Sequence, residues 1–319
     1  MLETLFGALL AATLRVATPL VLCALAGLFS ELAGVVDIGL EGKMLFAAFA
    51  AGAAGAVWGS TALALLAAVL TSVLLSWMHG LACVSHRGDQ VVSGVAVNII
   101  ASGTTVVLGI AWFAQGGQTP ALPDSVRLQA LLPPVPALGV PWLDALAAGL
   151  LTHTALVYCS YALVPASWWL IYRTRFGLRL RAVGENPHMV SAAGLSVQRL
   201  RYAALTLNGT LCGLAGAFLV LAQSASFSHN MTAGRGFMAL AALIFGRWRP
   251  FGALWACLLF GFLDAVAIRL QGVPVPGLGE IPVQLIQALP YVMTVVLLAG
   301  FMGKALAPRA LGVPYVKER

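Results

Sequence analysis

The chain has 319 residues, of which 60% are hydrophobic and only 9% are charged, and its formal net charge is +7. Soluble domains carry about 25% charged residues, so this composition excludes a water-exposed globule and requires lipid around the apolar surface. The basic residues stand in short tracts between apolar runs, where they set membrane orientation and do not indicate nucleic-acid binding. The sequence therefore predicts an all-α polytopic membrane protein.

Most apolar runs are long enough to cross a bilayer, because a hydrocarbon core of about 30 Å needs roughly 17 or more helical residues. The first run contains Arg15 and Pro19, and the run at 236–246 is too short to span alone, so either is a candidate for a broken or re-entrant helix. We expect about eight to ten transmembrane helices at this span length. The runs lie at about 4–29, 43–58, 61–83, 91–113, 143–172, 202–222, 236–246, 250–268 and 283–302.

The arginine-rich tract at 173–201 indicates the orientation, because cytoplasmic loops carry an excess of Lys and Arg. Each membrane span moves the chain to the other side of the membrane. Counting the spans away from this tract therefore places the N-terminus and the Pro-rich loop at 114–141 outside, and the C-terminal tail inside. Residues 1–319 then form a single transmembrane domain. Its predicted parts are a first repeat at about 17–113, a periplasmic loop at 114–141, a linking helix at 143–172, a cytoplasmic loop at 173–201, a second repeat at about 202–302 and a cytoplasmic tail at 303–319.

The two halves share a pattern in which a Gly/Ala-rich helix ends in Phe-Ser and leads into a glycine-rich break. The first break runs from Ile38 to Gly42 and the second from Thr232 to Gly236. Because the predicted topology puts the first break inside and the second outside, the halves would be inverted repeats. In transporters of that architecture, solute passes near the repeat interface at mid-membrane. Chance similarity among Ala- and Gly-rich helices remains the alternative.

Polar residues at the breaks and along one helix are candidates for contact with a solute. They are Glu41, Asn230 and Thr232 at the breaks, and Asn98, Ser102 and Thr105 on the helix at 91–113. The last three are spaced by four and three residues, so they share one stripe of the helix. An amide and two hydroxyls are the donors and acceptors that a sugar or base would need. Tight glycine packing and interhelical hydrogen bonds explain the same residues equally well.

The cytoplasmic loop contains a short predicted helix. Asn186 is a good N-cap, Pro187 suits the first helical position, and Gly194 ends the turn. Met189, Val190 and Ala193 can share one face, so the helix would lie across the cytoplasmic surface and could dock into a groove on a partner. A loop helix that only covers the end of the bundle is the alternative.

Several chemistries have no signature in this chain. The sequence has no GxxxxGK[ST] phosphate loop, so energy for transport would come from another chain. It has no run of membrane-embedded acids of the kind that proton-coupled carriers use. The five cysteines lie in apolar runs without a CxxC pair, so no metal site is expected.

Several sequence blocks together resemble the permeases of ATP-binding cassette (ABC) importers in the branched-chain amino acid, ribose and nucleoside group. The blocks are Thr18 to Leu20, Gly27 to Glu31, Gly34 to Gly42, Val183 to Pro187, Ala192 to Gly194, Asn230 to Phe237 and Ile244 to Trp248. The similarity runs from about residue 17 to 302. The pairing of Gly39 to Gly42 with Met231 to Gly236 is most similar to nucleoside and purine permeases.

The resemblance implies a type II importer-like permease of the bacterial cytoplasmic (inner) membrane, which forms the pathway for a nucleoside and is not an enzyme. It implies no cofactor in this chain, with ATP and Mg on two partner ATPase subunits. The other implied partners are a second, homologous permease in a heterodimer, an extracytoplasmic solute-binding lipoprotein and membrane lipid.

The resemblance also implies that 184–197 holds the coupling helix, which meets the ATPase. The expected coupling residues are Gly184, Glu185, Asn186, Pro187, Ala193 and Gly194. The chain departs from the family at Asp37, where members often carry Asn, and at Asp89-Gln90, where they often carry Asp-Glu. A simple-sugar permease of the same group, a secondary carrier or channel not driven by ATP, and a structural or assembly factor remain alternatives.

Overall fold

The computed structural model describes residues 2–133, 140–270, 274–275, 279–280 and 307–316, and the single positions 288, 292 and 296. These ranges hold a helical bundle and two short strands, β1 (Pro274–Val275) and β2 (Gly279–Glu280), which pair antiparallel. The helices are α1 (Leu2–Leu32), α2 (Leu40–Trp58), α3 (Thr61–Gly80), α4 (Gln90–Phe113), α5 (Pro141–Leu151), α6 (Ala155–Arg173), α7 (Arg175–Glu185), α8 (Pro187–Ala192), α9 (Val197–Phe218), α10 (Arg235–Phe245) and α11 (Pro250–Leu270). Helix α3 continues into a π-helical turn at Leu81–Ser85, and α9 into another at Leu219–Ser224.

Within the described ranges, 7 helical segments are long and apolar enough to cross a membrane. They comprise α1, α2, α4, α6 and α11, together with α3 and α9 including their π-helical turns. This confirms the all-α polytopic membrane fold. The predicted span at 283–302 lies outside the described residues except at three single positions, and the predicted tail is described only at 307–316. The inverted repeats stay a prediction.

The prediction of a broken or re-entrant helix in the first run is wrong, because α1 is continuous from Leu2 to Leu32. Pro19 has no N–H, so the carbonyl of Arg15 one turn earlier loses its helical donor. That carbonyl instead accepts a hydrogen bond from the Gln223 side-chain amide, at 3.3 Å. A side-chain amide from a distant part of the chain thus satisfies the backbone carbonyl that proline would leave without a hydrogen bond within the membrane.

The predicted linking helix at 143–172 is interrupted, since α5 ends at Leu151 and α6 begins at Ala155. In the gap, the carbonyl of His153 accepts from Leu131 N at 2.9 Å, so its backbone pairs with the preceding loop rather than with a helix. The short run at 236–246 is confirmed as a helix too short to span, because α10 has only 11 residues.

Helices α1, α2 and α9 form the centre of the bundle. The membrane-length windows of α2 and α9 are each 78% buried, whereas those of α3 and α4 are 28% and 22% buried. Glycines allow the central helices to approach closely: a Cβ added at Gly216 of α9 would lie 2.3 Å from the Met44 carbonyl oxygen of α2. The peripheral helices leave apolar faces exposed.

Candidate functional site

A cavity of about 630 Å³ lies where α2, α4 and α10 meet. Its walls combine Glu41, Gly42 and Leu45 of α2, Asn98, Ile99, Ser102 and Gly103 of α4, and Asn230, Thr232, Ala233, Gly234 and Phe237 of the loop before α10 and of α10 itself. The structure therefore brings both glycine-rich breaks and the polar stripe of α4 to one place. Contact of these residues with a solute stays a prediction.

Thr105 is the predicted pathway residue that does not line this cavity. It is fully buried further along α4, and its hydroxyl donates to the Ser102 carbonyl at 3.1 Å. Its spacing from Ser102 correctly places it on the same stripe, but neighbouring structure covers that part of the helix. Helical periodicity sets the direction of a side chain and not what packs over it.

Glu41 joins the two breaks through its carboxylate. One oxygen accepts from Gly234 N at 2.8 Å and the other from Gly236 N at 2.6 Å. A carboxylate at this position satisfies backbone donors at the N-terminus of α10 and complements the helix dipole. Gly236 permits the approach, because a Cβ there would lie 2.5 Å from Glu41 N. In this structure, Glu41 therefore joins α2 to the start of α10 and stabilises the cavity wall.

Asn98 is likewise engaged by the protein on both sides of its amide. Its oxygen accepts from Gly42 N at 2.7 Å, and its nitrogen donates to the Ile38 carbonyl at 3.1 Å. An amide has two donors and two lone pairs, so half of its hydrogen-bonding capacity remains for a solute. Together, Ser102 and Asn230 add a hydroxyl and an amide to the cavity wall.

A buried ion pair that the sequence analysis missed lies beside the first break. Lys43 Nζ pairs with Asp37, and both side chains are 0% exposed. Lys43 also donates to the Asn208 side-chain oxygen at 3.1 Å, and Ser76 donates to the same oxygen at 3.0 Å. The sequence did contain a pattern that could have predicted this pair: an acid and a lysine flank the first glycine-rich break. Ionisable residues within membrane-spanning regions are rare and usually paired.

We call the segment between α1 and α2, residues 33–39, the first connector. Its backbone is held by side chains of other helices: Gln90 accepts from Val36 N at 2.6 Å, and His79 Nε2 lies 3.0 Å from the Val36 carbonyl. The other ring nitrogen of His79 lies 3.0 Å from the Ser93 hydroxyl. These contacts satisfy backbone groups that no helix satisfies, as burial requires.

We call the segment between the π-helical turn after α9 and α10, residues 225–234, the second connector. Besides Glu41, the loop after α4 holds its backbone: Thr119 N donates to the Phe227 carbonyl at 3.1 Å, and Leu122 N to the Ala225 carbonyl at 2.7 Å. The Phe227 ring also packs against Phe49 of α2, with ring centroids 5.3 Å apart. The Thr119 hydroxyl also accepts from Phe227 N at 3.0 Å. This connector runs between that loop and the cavity.

The predicted helix of the cytoplasmic loop is present as α8. Asn186 is its N-cap and accepts from Met189 N at 3.1 Å, Pro187 follows at the first position, and Gly194 has a left-handed φ of +79°. Of the predicted coupling residues, Glu185, Asn186 and Ala193 line an open apolar groove of about 410 Å³.

The remaining predicted coupling residues lie elsewhere. Gly184 and Pro187 are buried, and a Cβ at Gly184 would lie 2.2 Å from the Leu32 carbonyl oxygen at the end of α1. Gly194 lines a neighbouring cavity with Arg87 and Ser191. Glycine at 184 thus serves the packing of α7 on α1, while the groove leaves an apolar surface exposed.

The C-terminal segment at 307–316 connects this loop to the first connector. Ala310 N donates to the Gly184 carbonyl at 2.8 Å, and Gly312 N donates to the Gly34 carbonyl at 3.3 Å. Arg201 of α9 is almost fully buried and donates to the Ala33 carbonyl at 3.2 Å and to the Val313 carbonyl at 3.3 Å. The C-terminal segment therefore joins α7 to the first connector, which leads into α2.

Comparison with known proteins identifies the architecture. Residues 9–298 match the family model described as branched-chain amino acid transport system / permease component. The guanosine ABC transporter permease protein NupQ of Bacillus subtilis is 38% identical over 315 residues, which cover 97% of this chain and 96% of that protein. The nucleoside ABC transporter permease protein NupC of Lactococcus lactis is 37% identical over 309 residues, 95% of this chain and 94% of that protein. A putative glucose ABC transporter permease protein of Haloferax volcanii is 34% identical over 263 residues, 82% of this chain and 78% of that protein.

Proposed function

Because this chain belongs to the family of branched-chain amino acid transport system permease components, we propose that it forms the pathway by which an ABC importer carries a nucleoside. It is a multi-pass membrane protein and a transport subunit rather than an enzyme. The observation that carries the substrate class is the similarity, over nearly the whole chain, to permeases named for guanosine and for nucleosides.

The chemistry of the cavity suits a nucleoside. Its volume of about 630 Å³ falls in the range of small-molecule sites, which is roughly 300–1,000 Å³. The hydroxyl of Ser102 and the amides of Asn98 and Asn230 can hydrogen-bond a ribose or a base edge. Phe237 is 48% exposed and lines the same cavity, so its ring can pack against the face of a base.

A simple sugar is the second candidate substrate, because one relative is named a putative glucose permease. The two candidates differ in that a nucleoside has an aromatic base, which can pack on the Phe237 ring, whereas a simple sugar has none. Replacing Phe237 with Ala should weaken nucleoside transport if a base packs on the ring, whereas the hydroxyl and amide groups would still serve a sugar. Uptake of labelled guanosine and of labelled glucose, in wild type and in this variant, distinguishes the two.

The proposed partners follow from the architecture of ABC importers. ATP and Mg would be held by two ATPase subunits, which dock on α8 and on the groove lined by Glu185, Asn186 and Ala193. An extracytoplasmic binding lipoprotein would deliver the solute. A second, homologous permease would complete a heterodimer on the side of α4, where Ile99, which lines the cavity, and Val107 are exposed.

The mechanism we propose is alternating access. Closure of the ATPase pair on ATP would move α8, and the contacts of the 307–316 segment and Arg201 would carry that movement to the first connector. Rocking of the two permeases would then shift the opening of the cavity from one membrane face to the other. No covalent step takes place in this chain.

The decisive experiment is to purify the tagged chain from its native membrane in mild detergent and to identify the bound proteins by mass spectrometry. A P-loop ATPase and a second permease are expected, and reconstituted uptake of guanosine should stop when vanadate is added. A chain that purifies alone and transports with an ion gradient would be a secondary carrier, which would overturn the proposal.

The coupling segment is tested in the same reconstituted importer. Replacing Glu185 or Asn186 with Ala should lower transport while solute capture by the binding protein stays intact, because the groove shares no lining residue with the cavity. A matched control is Arg127→Ala in the loop between α4 and α5. Loss of capture in the Glu185 variant would contradict its assignment to coupling.

A further inference from the structure

A separate cavity, of about 620 Å³, lies where α6 ends and α11 begins, and it shares no lining residue with the pathway cavity. Both helices have membrane-spanning length, so their adjoining ends mark the level at which lipid meets water. The wall is largely aromatic. Its aromatic members are Trp168 and Tyr172 of α6, Phe245 of α10, and Phe251 and Trp255 of α11.

The charge of this cavity is positive. Arg247 and Arg249 lie in the turn between α10 and α11, line the cavity and are exposed, and none of its lining residues is acidic. In the described part of the chain, ion pairs join Lys43 to Asp37 and Arg127 to Asp124, so neither of these two arginines is neutralised in that way.

Two further guanidinium groups lie over the aromatic rings at the rim. Arg173 is 5.7 Å from the ring centroid of Trp168, and Arg181 is 4.9 Å from that of Tyr172. Such cation–π contacts hold the charges beside the cavity without consuming their hydrogen-bond donors. The cavity therefore combines several arginine donors with an apolar wall.

The turn that carries Arg247 and Arg249 is held in a strained conformation. Arg247 and Trp248 both have φ of +53°, a left-handed conformation that is costly for residues other than glycine. Trp248 is nearly buried and its indole donates to the Glu31 carboxylate at 2.5 Å. This anchor fixes the tryptophan inward and leaves the two flanking arginines exposed at the cavity. Strain of this kind persists where the surrounding structure enforces it and often marks a functional site.

We propose that this cavity binds the phosphate headgroup of an anionic lipid in the cytoplasmic leaflet. Guanidinium groups pair with phosphate through parallel hydrogen bonds, and basic pockets between membrane helices on the cytoplasmic side suit such headgroups. The aromatic wall would contact the glycerol and the first part of the acyl chains. The side is cytoplasmic by the positive-inside rule, because the arginine-rich helix α7 follows α6 directly. A soluble phosphate shares the anionic chemistry but would gain nothing from the apolar wall.

The test measures lipid retention by native mass spectrometry of the full chain with its co-purified partners. Delipidated protein is incubated with phosphatidylglycerol or with phosphatidylcholine of identical acyl chains. We expect wild type to retain phosphatidylglycerol preferentially. Each of Arg247→Gln and Arg249→Gln should weaken this retention about fivefold, the effect of roughly one charge near an anionic surface. Arg199→Gln, in an exposed arginine at the start of α9 on the same side, is the matched control and should leave retention unchanged.

The outcomes separate the two sources of phosphate and do not depend on transport activity. Unchanged phosphatidylglycerol retention in the Arg247→Gln/Arg249→Gln double variant would overturn the proposal. Equal retention of the two lipids, together with displacement by millimolar inorganic phosphate, would identify a soluble-anion site and would also overturn it. If the double variant does not fold, wild type gives the second measurement, since its preference for phosphatidylglycerol must fall as salt is raised. A preference that salt does not change would contradict an ionic site.

Discussion

The two connectors differ in how the rest of the molecule holds them. The first, at 33–39, is mostly buried, with Val36 and Ile38 half-buried, and is held by side chains from α3, α4 and α9. The second, at 225–234, is largely exposed or half-buried; Glu41 and the loop after α4 hold its backbone, and its one buried ring, Phe227, packs on Phe49 of α2. Similar sequence patterns in the two halves therefore produce one densely restrained segment and one sparsely restrained segment. Segments with few buried contacts open at lower free-energy cost, so we expect the second connector to move first.

The two connectors also differ in backbone conformation. Ala225, Asn230 and Ala233 of the second connector have positive φ, at 59°, 56° and 47°. Within the first connector the positive φ belongs to Gly34, which adopts it without a steric penalty. The left-handed conformation costs roughly 1–2 kcal/mol for an L-residue with a Cβ. The second connector thus stores strain near the cavity, whereas the first connector does not.

The largest expected effect comes from removing one member of the buried ion pair beside the first connector. Lys43→Met would leave the Asp37 carboxylate uncompensated, and breaking a buried pair in this way costs about 3–5 kcal/mol. We expect a clear fall in the thermal unfolding midpoint of the detergent-purified protein. The double variant Asp37→Asn/Lys43→Met should recover most of that loss, because neither position then carries a buried charge. Equal stability of Lys43→Met and wild type would show that the pair does not restrain this connector.

A smaller effect is expected at Arg201, which joins the first connector to the C-terminal segment. Arg201→Met removes hydrogen bonds to the Ala33 and Val313 carbonyls and should cost about 2 kcal/mol, a typical value for bonds to a charged donor. Hydrogen exchange should accelerate in peptides covering 33–39 and 307–316. Arg199→Met, two residues away and exposed, is the control. Faster exchange in 225–234 alone would contradict this assignment.

A substitution at Glu41 tests the restraint on the second connector separately from that on the first. Glu41→Gln keeps one acceptor oxygen but replaces the other with an NH2 donor and removes the negative charge from the N-terminus of α10, which should cost about 1 kcal/mol. Hydrogen exchange should rise across 225–236 and stay unchanged across 33–36, and uptake should fall because the cavity wall loosens. A variant with unchanged exchange but lost uptake would instead assign Glu41 to direct solute contact.

Local sequence signals predicted much of this architecture. Apolar runs located the membrane-spanning helices, and the Asn186-Pro187 pair located α8, because periodicity and capping depend on neighbouring residues. Glycine-rich breaks and a polar stripe identified most of the polar cavity wall. Whether those residues bind solute remains a prediction.

The features that the sequence analysis missed depend on residues far apart in the chain. Continuity of α1 through Pro19 requires an amide from Gln223, and the environment of Lys43 requires Asn208 on α9. Glu41 was predicted as a solute contact, but its partners are backbone N–H groups near residue 235, whose direction no local pattern specifies. Polar contacts between residues far apart in the chain thus cannot be predicted from local patterns in one sequence.

The smallest expected effect has the opposite sign and tests the strain in the second connector. Ala225 adopts φ 59° and ψ 0°, so Ala225→Gly should relieve strain and stabilise the protein by about 0.5–1 kcal/mol. The same substitution at Ala96, an exposed position inside α4, should destabilise by about 1 kcal/mol, since glycine weakens a helix interior. Thermal unfolding of both variants in the same detergent measures the contrast. If Ala225→Gly is also destabilising, the second connector is held by its packing rather than strained, and the difference between the two connectors rests on side-chain restraint alone.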